Sequence, residues 1–327
     1  MRFLVFGDPE GKVRYGEVAR LANKFLGKGD WIIFMGDYFS NQLTAYKYFR
    51  QGRLFPESSV FRDLYKRFKV VLVFGNKDLQ SRFFDLHERR ERFHENLILV
   101  EDFHGKVPGE INLFFLNGSN LTNVDISRRA KRLVRRIGTS IEKYRKKRGV
   151  QSLRLVDLPK EEVNRIRRGY AFEFKLIYDY PYLTNFDFLK DLRERDFDIL
   201  LTHTPPLMKG SELVMGNYPD LALYKEVRGG VCPARREGKK VKKGNVGDER
   251  VLKFVKRTRC KLVICGHIHE ASGVAYLKDK LVINPGSKIA FLNRKKILPF
   301  TLIETDQDLT RFRILLRNWS GTYEKEV

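Results

Sequence analysis

The sequence predicts an α/β protein with parallel strands joined by crossover helices. Three observations carry this. Short apolar runs alternate with stretches whose apolar residues recur at three- and four-residue spacing, the order that parallel strands and crossover helices require. The early apolar runs each end at a Gly followed by a polar residue, as strands do when they open into a loop at a sheet edge. One long basic stretch then breaks the pattern, and strand signals resume after it.

Taken in order, residues 3–6 form a short buried strand. Residues 16–26 are helical, with Val18, Leu21, Ala22 and Phe25 on one face. Residues 31–35 and 69–74 are the second and third strands, and 97–100 and 111–116 two more. From about 121 to 192 the chain reads as helical and basic. Ala130, Leu133, Ile137, Ile141 and Tyr144 make a narrow apolar stripe, and a second helical piece lies near 161–168. This divides the chain into a core of 1–120 and 196–327 and an insertion of 121–195, a cap or arm. Residues 197–201 return to strand. A long loop rich in Gly, Pro and basic residues runs from 207 to about 246. Residues 248–257 are helical and 261–265 a strand. The runs 274–277, 281–284, 301–305 and 310–315 read as antiparallel strands of a second sheet.

Composition narrows the setting. No apolar run approaches the roughly 18–20 residues needed to span a membrane, and RFLVF follows the first Met without a signal-peptide layout, so a cytoplasmic protein is expected. Three cysteines (Cys232, Cys260 and Cys265) make no disulfide framework, and the last two read as buried thiols. Scarce Gln beside abundant Lys, Arg and Glu resembles thermophile composition. The net charge of +24 is concentrated: residues 127–169 hold sixteen Lys and Arg against four acids, net +12. A one-signed segment attracts phosphates, so nucleic acid or another polyanion is the first partner to consider. A solvated face, an oligomer contact and an anionic membrane surface are the alternatives. The aromatics that follow (Tyr170, Phe172, Phe174, Tyr178, Tyr180 and Tyr182) suit a core better than base stacking.

Five blocks sit just after apolar runs: FGD at 6–8, MGD at 35–37, GNKD at 75–78, THTPP at 202–206 and GHIH at 266–269. They supply three Asp, one Asn and three His, the donors that hold paired divalent metals. Singly, each has a plainer reading: Asp8 and Asp37 as caps or turn residues, and each His as a polar strand-end residue. The ordered set favours the metal reading. His87, His94 and His104 fall outside the blocks and read as surface residues. Residues 284–287 (NPGS) read as a structural turn near the site.

In this order the blocks resemble the calcineurin-like metallophosphoesterase superfamily, over roughly 1–118 and 197–316 but not the basic insertion. The resemblance implies a four-layer α-β-β-α sandwich of two mixed sheets with a dinuclear metal site at the strand ends. Carried over by position, Asp8, Glu10, Asp37 and His269 hold one ion. Asp37 bridges to a second, held also by Asn76, His203 and His267. A metal-bridging hydroxide would attack phosphorus in line. Two departures matter. The first motif reads Asp8-Pro9-Glu10 where the family has Asp-x-His. This hard oxygen donor favours Mn²⁺, then Mg²⁺, with Fe, Ni²⁺ and Zn²⁺ behind. Lys77 replaces the His of Gly-Asn-His-Asp/Glu. Lys77 and Asp78 are then the catalytic candidates, with Asn76 and Lys77 toward the substrate phosphate. Residues 36–41 lack the Asp-Arg-Gly of the protein phosphatase branch. The expected activity is metal-dependent hydrolysis of a phosphodiester or nucleotide. The alternative is a catalytically weakened protein of the same fold that binds nucleic acid or protein.

Overall fold

β1 (Arg2–Phe6), β2 (Trp31–Phe34), β3 (Lys69–Leu72) and β4 (Leu97–Leu99) lie side by side and parallel, with Phe3 opposite Trp31 and Trp31 opposite Lys69. The computed structural model describes residues 1–8, 15–38, 59–75, 78, 95–99, 104–118, 128–150, 157–170, 186–227, 230–233, 241–287, 298–318 and 320–327. On its other side β1 pairs antiparallel with β15 (Phe300–Thr305). Then follow β16 (Phe312–Asn318) and β17 (Gly321–Glu326), giving a seven-stranded first sheet.

A second seven-stranded sheet runs β5 (His104–Val107), β6 (Leu113–Leu116), β7 (Ile199–Thr202), β12 (Leu262–Cys265), β14 (Lys280–Asn284), β13 (Gly273–Leu277) and β8 (Glu212–Gly216). Its middle pairs, β6–β7, β7–β12 and β12–β14, are parallel. Alternate residues decide the layers. Phe3, Val5, Ile33 and Val71 of the first sheet share one core with Phe115, Leu201, Ile264 and Ile283 of the second. On the far face of the second sheet, Leu200, Val263 and Val282 pack with Val251, Phe254 and Val255 of an α-helix spanning Glu249–Arg257. α1 (Tyr15–Phe25) and α2 (Ser59–Tyr65) belong to the far side of the first sheet, where Phe25 meets Phe300 and Phe61 meets Phe34. The result is the α-β-β-α sandwich of two mixed sheets.

Three expectations are corrected. The last four strand signals do not form one sheet: β13 and β14 stay in the second, while β15 and β16 join the first. Leu302 opposite Leu4 covers the edge that β1 would otherwise expose. The stretch 207–246 is not a plain loop. It contains β8 and a three-stranded antiparallel sheet of β10 (Gly230–Pro233), β9 (Leu221–Val227) and β11 (Lys242–Asn245). β11 (KKGN) has no apolar residue, so no alternation marks it in the sequence. His104, read as a surface residue, is half-buried: its ring stacks on Phe188 and Phe114 at centroid distances of 5.2 and 6.1 Å. His87 and His94 lie outside the described residues, as do Phe172, Phe174, Tyr178, Tyr180 and Tyr182.

Residues 121–185 form a compact unit of their own, separate from 1–120 with 186–327. It contains α3 (Arg128–Arg148) and α4 (Lys160–Gly169). Leu133 and Ile137 pack with Leu158 and Ile166, bordered by Ile141, Tyr144, Val163 and Tyr170. Ser140 Oγ donates to the buried Glu162 carboxylate at 2.7 Å. The larger unit resumes at Phe186 rather than at 196, because Phe186 and Leu189 fill the core beside Phe197. The helix at Glu249–Arg257, α5, starts at Asp248, whose carboxylate accepts from the backbone N–H groups of Arg250 and Val251.

Candidate metal centre

Parallel strands bring their carboxyl ends to one edge, and the loops leaving those ends carry the site. Backbone ladders run one step past the strands: Met35 N–H donates to Phe6 O, Val73 N–H to Phe34 O, and His203 N–H to Leu116 O. These bonds fix the starting points of the turns. Asp8, Asp37, His203 and His267 follow, and one donor atom from each lies within 4.8 Å of all the others. Asp8 and Asp37 are buried, and His203 has no exposure at all.

His203 is oriented by its backbone surroundings. Its Nδ1 lies 2.6 Å from Met35 O. A carbonyl only accepts, so Nδ1 carries a proton and Nε2 is the ring nitrogen turned to the site. That Nε2 lies 3.1 Å from His267 Nδ1 and 3.6 Å from Asp37 Oδ1. Asp8 takes the other side. Its Oδ2 is 3.0 Å from His269 Nε2, and its Oδ1 accepts the His267 backbone N–H at 3.2 Å. The His203 and His267 rings meet edge-on, with centroids 4.9 Å apart.

The backbone is strained here. Asp37 and His267 have φ of 51° and 66°, a left-handed conformation that costs a non-glycine residue on the order of 1–3 kcal/mol. Glycine is needed beside them. A Cβ on Gly75 would lie 2.2 Å from Asp37 Oδ1, and one on Gly36 would lie 2.7 Å from His203 Nδ1.

A surrounding ring of polar groups holds these turns. Asp78 is buried, and its two oxygens accept the N–H groups of Tyr38 and Gly75 at 2.7 and 2.8 Å. The carboxylate therefore ties the second and third loops together. Burial raises the Tyr38 phenol well above its ordinary value, with the Asp78 charge adding, so the hydroxyl stays a donor to Phe34 O. Asn117 Oδ1 accepts from Phe74 N–H. Asn284 Nδ2 donates to Pro219 O, Gly266 O and Ile268 O, and its Oδ1 accepts from Gly286 N–H. Ser287 Oγ donates to Asp8 O at 2.6 Å. Sequence reading placed 284–287 near the site, while Asn117 and the Asp78 tie were missed. For Asn117 the available signal was an Asn directly past a strand; Asp78 lies six residues past β3 and had none. Glu10, Asn76 and Lys77 lie outside the described residues.

The donor set fits divalent metal. Two buried carboxylates and imidazole nitrogens converge from separate loops, and buried anionic charge is stable only when compensated. Oxygen and neutral imidazole donors suit Mn²⁺, Fe and Zn²⁺ alike.

The family model for calcineurin-like phosphoesterases matches residues 1–271, and the chain belongs to that family. No match is found among curated protein sequences. Among solved structures the chain is similar to a predicted phosphoesterase from Streptococcus pneumoniae TIGR4, at 10% identity and a TM-score of 0.34, covering 100% of this chain and 97% of that one. It is also similar to a phosphopantetheinyl hydrolase from Mycobacterium tuberculosis, at 13% identity and a TM-score of 0.37, covering 93% and 96%. A third likeness is to Vps29 of Entamoeba histolytica, complexed with zinc, at 11% identity and a TM-score of 0.31, covering 100% and 98%. The assignment rests on the family model.

Proposed function

We propose that the chain is a metal-dependent phosphoesterase acting on a phosphodiester or nucleotide. The observation that carries this is the convergence of Asp8, Asp37, His203 and His267 within 4.8 Å. Asp8, Glu10, Asp37 and His269 would hold one divalent ion, and Asp37, Asn76, His203 and His267 the other. Mn²⁺ is the preferred metal, because the carboxylates of Asp8, Glu10 and Asp37 are hard donors. Bound there, two ions would supply Lewis-acid neutralisation of the phosphate and an activated water. Asp37, common to both sets, would be the carboxylate the two ions share. Met35 O keeps His203 with Nε2 turned to the site, and Ser287 holds the Asp8 backbone. Lys77 is assigned the role of point cation toward the substrate phosphate. Positive charge over 127–169 favours a polyanionic substrate or partner. The free thiols of Cys260 and Cys265 fit a cytoplasmic setting, and the low Gln content fits a thermophilic source. Among the described residues no helix is long and apolar enough to cross a membrane.

The test is hydrolysis of bis-p-nitrophenyl phosphate and p-nitrophenyl phosphate by metal-stripped protein given Mn²⁺, Mg²⁺, Ni²⁺ or Zn²⁺. Metal-dependent turnover, faster on the diester and lost in Asp37→Ala, is the expected result. No turnover with any metal, up to elevated temperature, would overturn it.

A further inference from the structure

The compact unit of residues 121–185 concentrates exposed positive charge on one side of a rigid helix. We infer that this face of α3 is a docking surface for the phosphate backbone of double-stranded nucleic acid, read without regard to base sequence. At 3.6 residues per turn, Arg135, Arg136, Lys143, Lys146 and Lys147 fall within an arc of about 120°, spread over about 18 Å of helix. All five are exposed. The adjoining arc, with Leu133, Ile137 and Ser140, is buried.

Two of the described acids of the unit are already engaged, one of them partly by the stripe itself. Glu142 is held by Arg145 at 2.8 Å at the stripe's margin, with Lys146 at 3.7 Å. Glu162 is buried and taken up by Ser140 and Arg165. Helix stability accounts for only part of the charge: Lys146 and Lys147 lie in the last turn of α3, where cations favour the helix dipole, whereas Arg135, Arg136 and Lys143 lie before it.

Three classes of polyanion compete for such a face, and the geometry selects one. An amphipathic helix that enters a membrane surface needs an available apolar side, but that of α3 is packed against Leu158 and Ile166. Single-strand binders add aromatic platforms for stacking. Among the described residues of this unit, the aromatics Tyr144 and Tyr170 pack against the helical core. A duplex presents a fixed array of phosphates, about one charge per 1.7 Å of axis, which a rigid row of cations can meet without ordering a flexible strand. This inference is independent of the dinuclear-metal reading.

The experiment measures binding of the full chain to two labelled 20-base-pair DNA duplexes of unrelated sequence, a single strand of equal length, and phosphatidylserine-containing vesicles. Salt is varied between ~50 and ~300 mM. Both duplexes should bind equally and more tightly than the single strand or vesicles. Log affinity should fall with log salt at a slope of about −4, near −0.9 for each phosphate contact. A variant with Arg135→Gln, Arg136→Gln, Lys143→Gln and Lys147→Gln, its folding checked by helix content, should lose at least ~10-fold in affinity and most of that slope. A control carrying Lys66→Gln, Lys256→Gln, Arg259→Gln and Lys278→Gln, equal in charge but placed on the other unit, should bind nearly as the parent does. Equal weakening of both variants, tighter binding of single strand or vesicle, or no duplex binding at ~50 mM salt would each overturn the inference. Asp37→Ala should bind duplex normally, so a failure of the hydrolytic reading is distinguishable from a failure of this one.

Discussion

At the scale of single residues the site depends on close approach more than on its donors alone. Gly75→Ala places a methyl group 2.2 Å from Asp37 Oδ1 and must displace either the carboxylate or the third loop. Loss of a group that positions a ligand typically costs about 10–100-fold in metal affinity or activity, and Gly75→Ala should fall in that range in a Mn²⁺ titration. Unchanged affinity would show that the loop moves freely. Asp248 is a simpler case. Its carboxylate caps α5 through Arg250 N–H and Val251 N–H, so Asp248→Ala should lower stability by about 1 kcal/mol in urea unfolding. The cap was legible, because an Asp directly before an amphipathic run marks a helix start. The Asp78 tie was not, because the two N–H groups it accepts belong to different loops.

At the scale of elements, turns and helix pairs set local stability. Asp306 closes the connection between β15 and β16, accepting from Thr310 Oγ1, Thr310 N–H and Arg311 N–H. The Thr310 bonds hold its carboxyl down to about 2. A depressed carboxylate contributes stability that is present above about pH 4, its unfolded value, and is lost as pH falls toward 2. The carboxyl is fully exposed, so the effect should be small and salt-sensitive. Asp306→Asn should melt below the parent at pH 7, and the gap should close between pH 4 and 2. A gap independent of pH would assign the loss to geometry instead of charge. In the helical unit, Leu133 is wholly buried in a core of few residues. Leu133→Ala should cost about 2–5 kcal/mol there, enough to open 121–185 to limited proteolysis while 186–327 stays protected.

At the scale of the whole molecule, the proposed metal would be coupled to the fold through the buried carboxylates. Asp8 and Asp37 are each 1% exposed, and a bound cation would compensate their charge only in the folded state. Chelation should therefore lower the melting temperature. Mn²⁺ at about 100 times its dissociation constant should restore about 2.7 kcal/mol. A melting temperature indifferent to chelator and metal would count against metal at this site. The same measurement on Asp37→Ala should show no response to Mn²⁺.

The order of the five blocks and their strand-end settings determined the α/β class, the family resemblance and the candidate ligands. Both signals are local, since hydrophobic period marks an element and a polar residue after it marks a sheet edge. The partnership of strands was decided only in three dimensions. Runs of similar length at 281–284 and 301–305 went to different sheets, because pairing depends on which edge is open and not on composition. The sheet of β9 to β11 was equally unreadable, because β11 (KKGN) has no apolar residue to alternate. Tertiary structure also decided the electrostatic detail of the site. Met35 O orients the His203 ring across 168 residues of chain, and Ser287 reaches Asp8 O across 279. Sequence spacing carries no information at that range, because such contacts exist only after two sheets have packed.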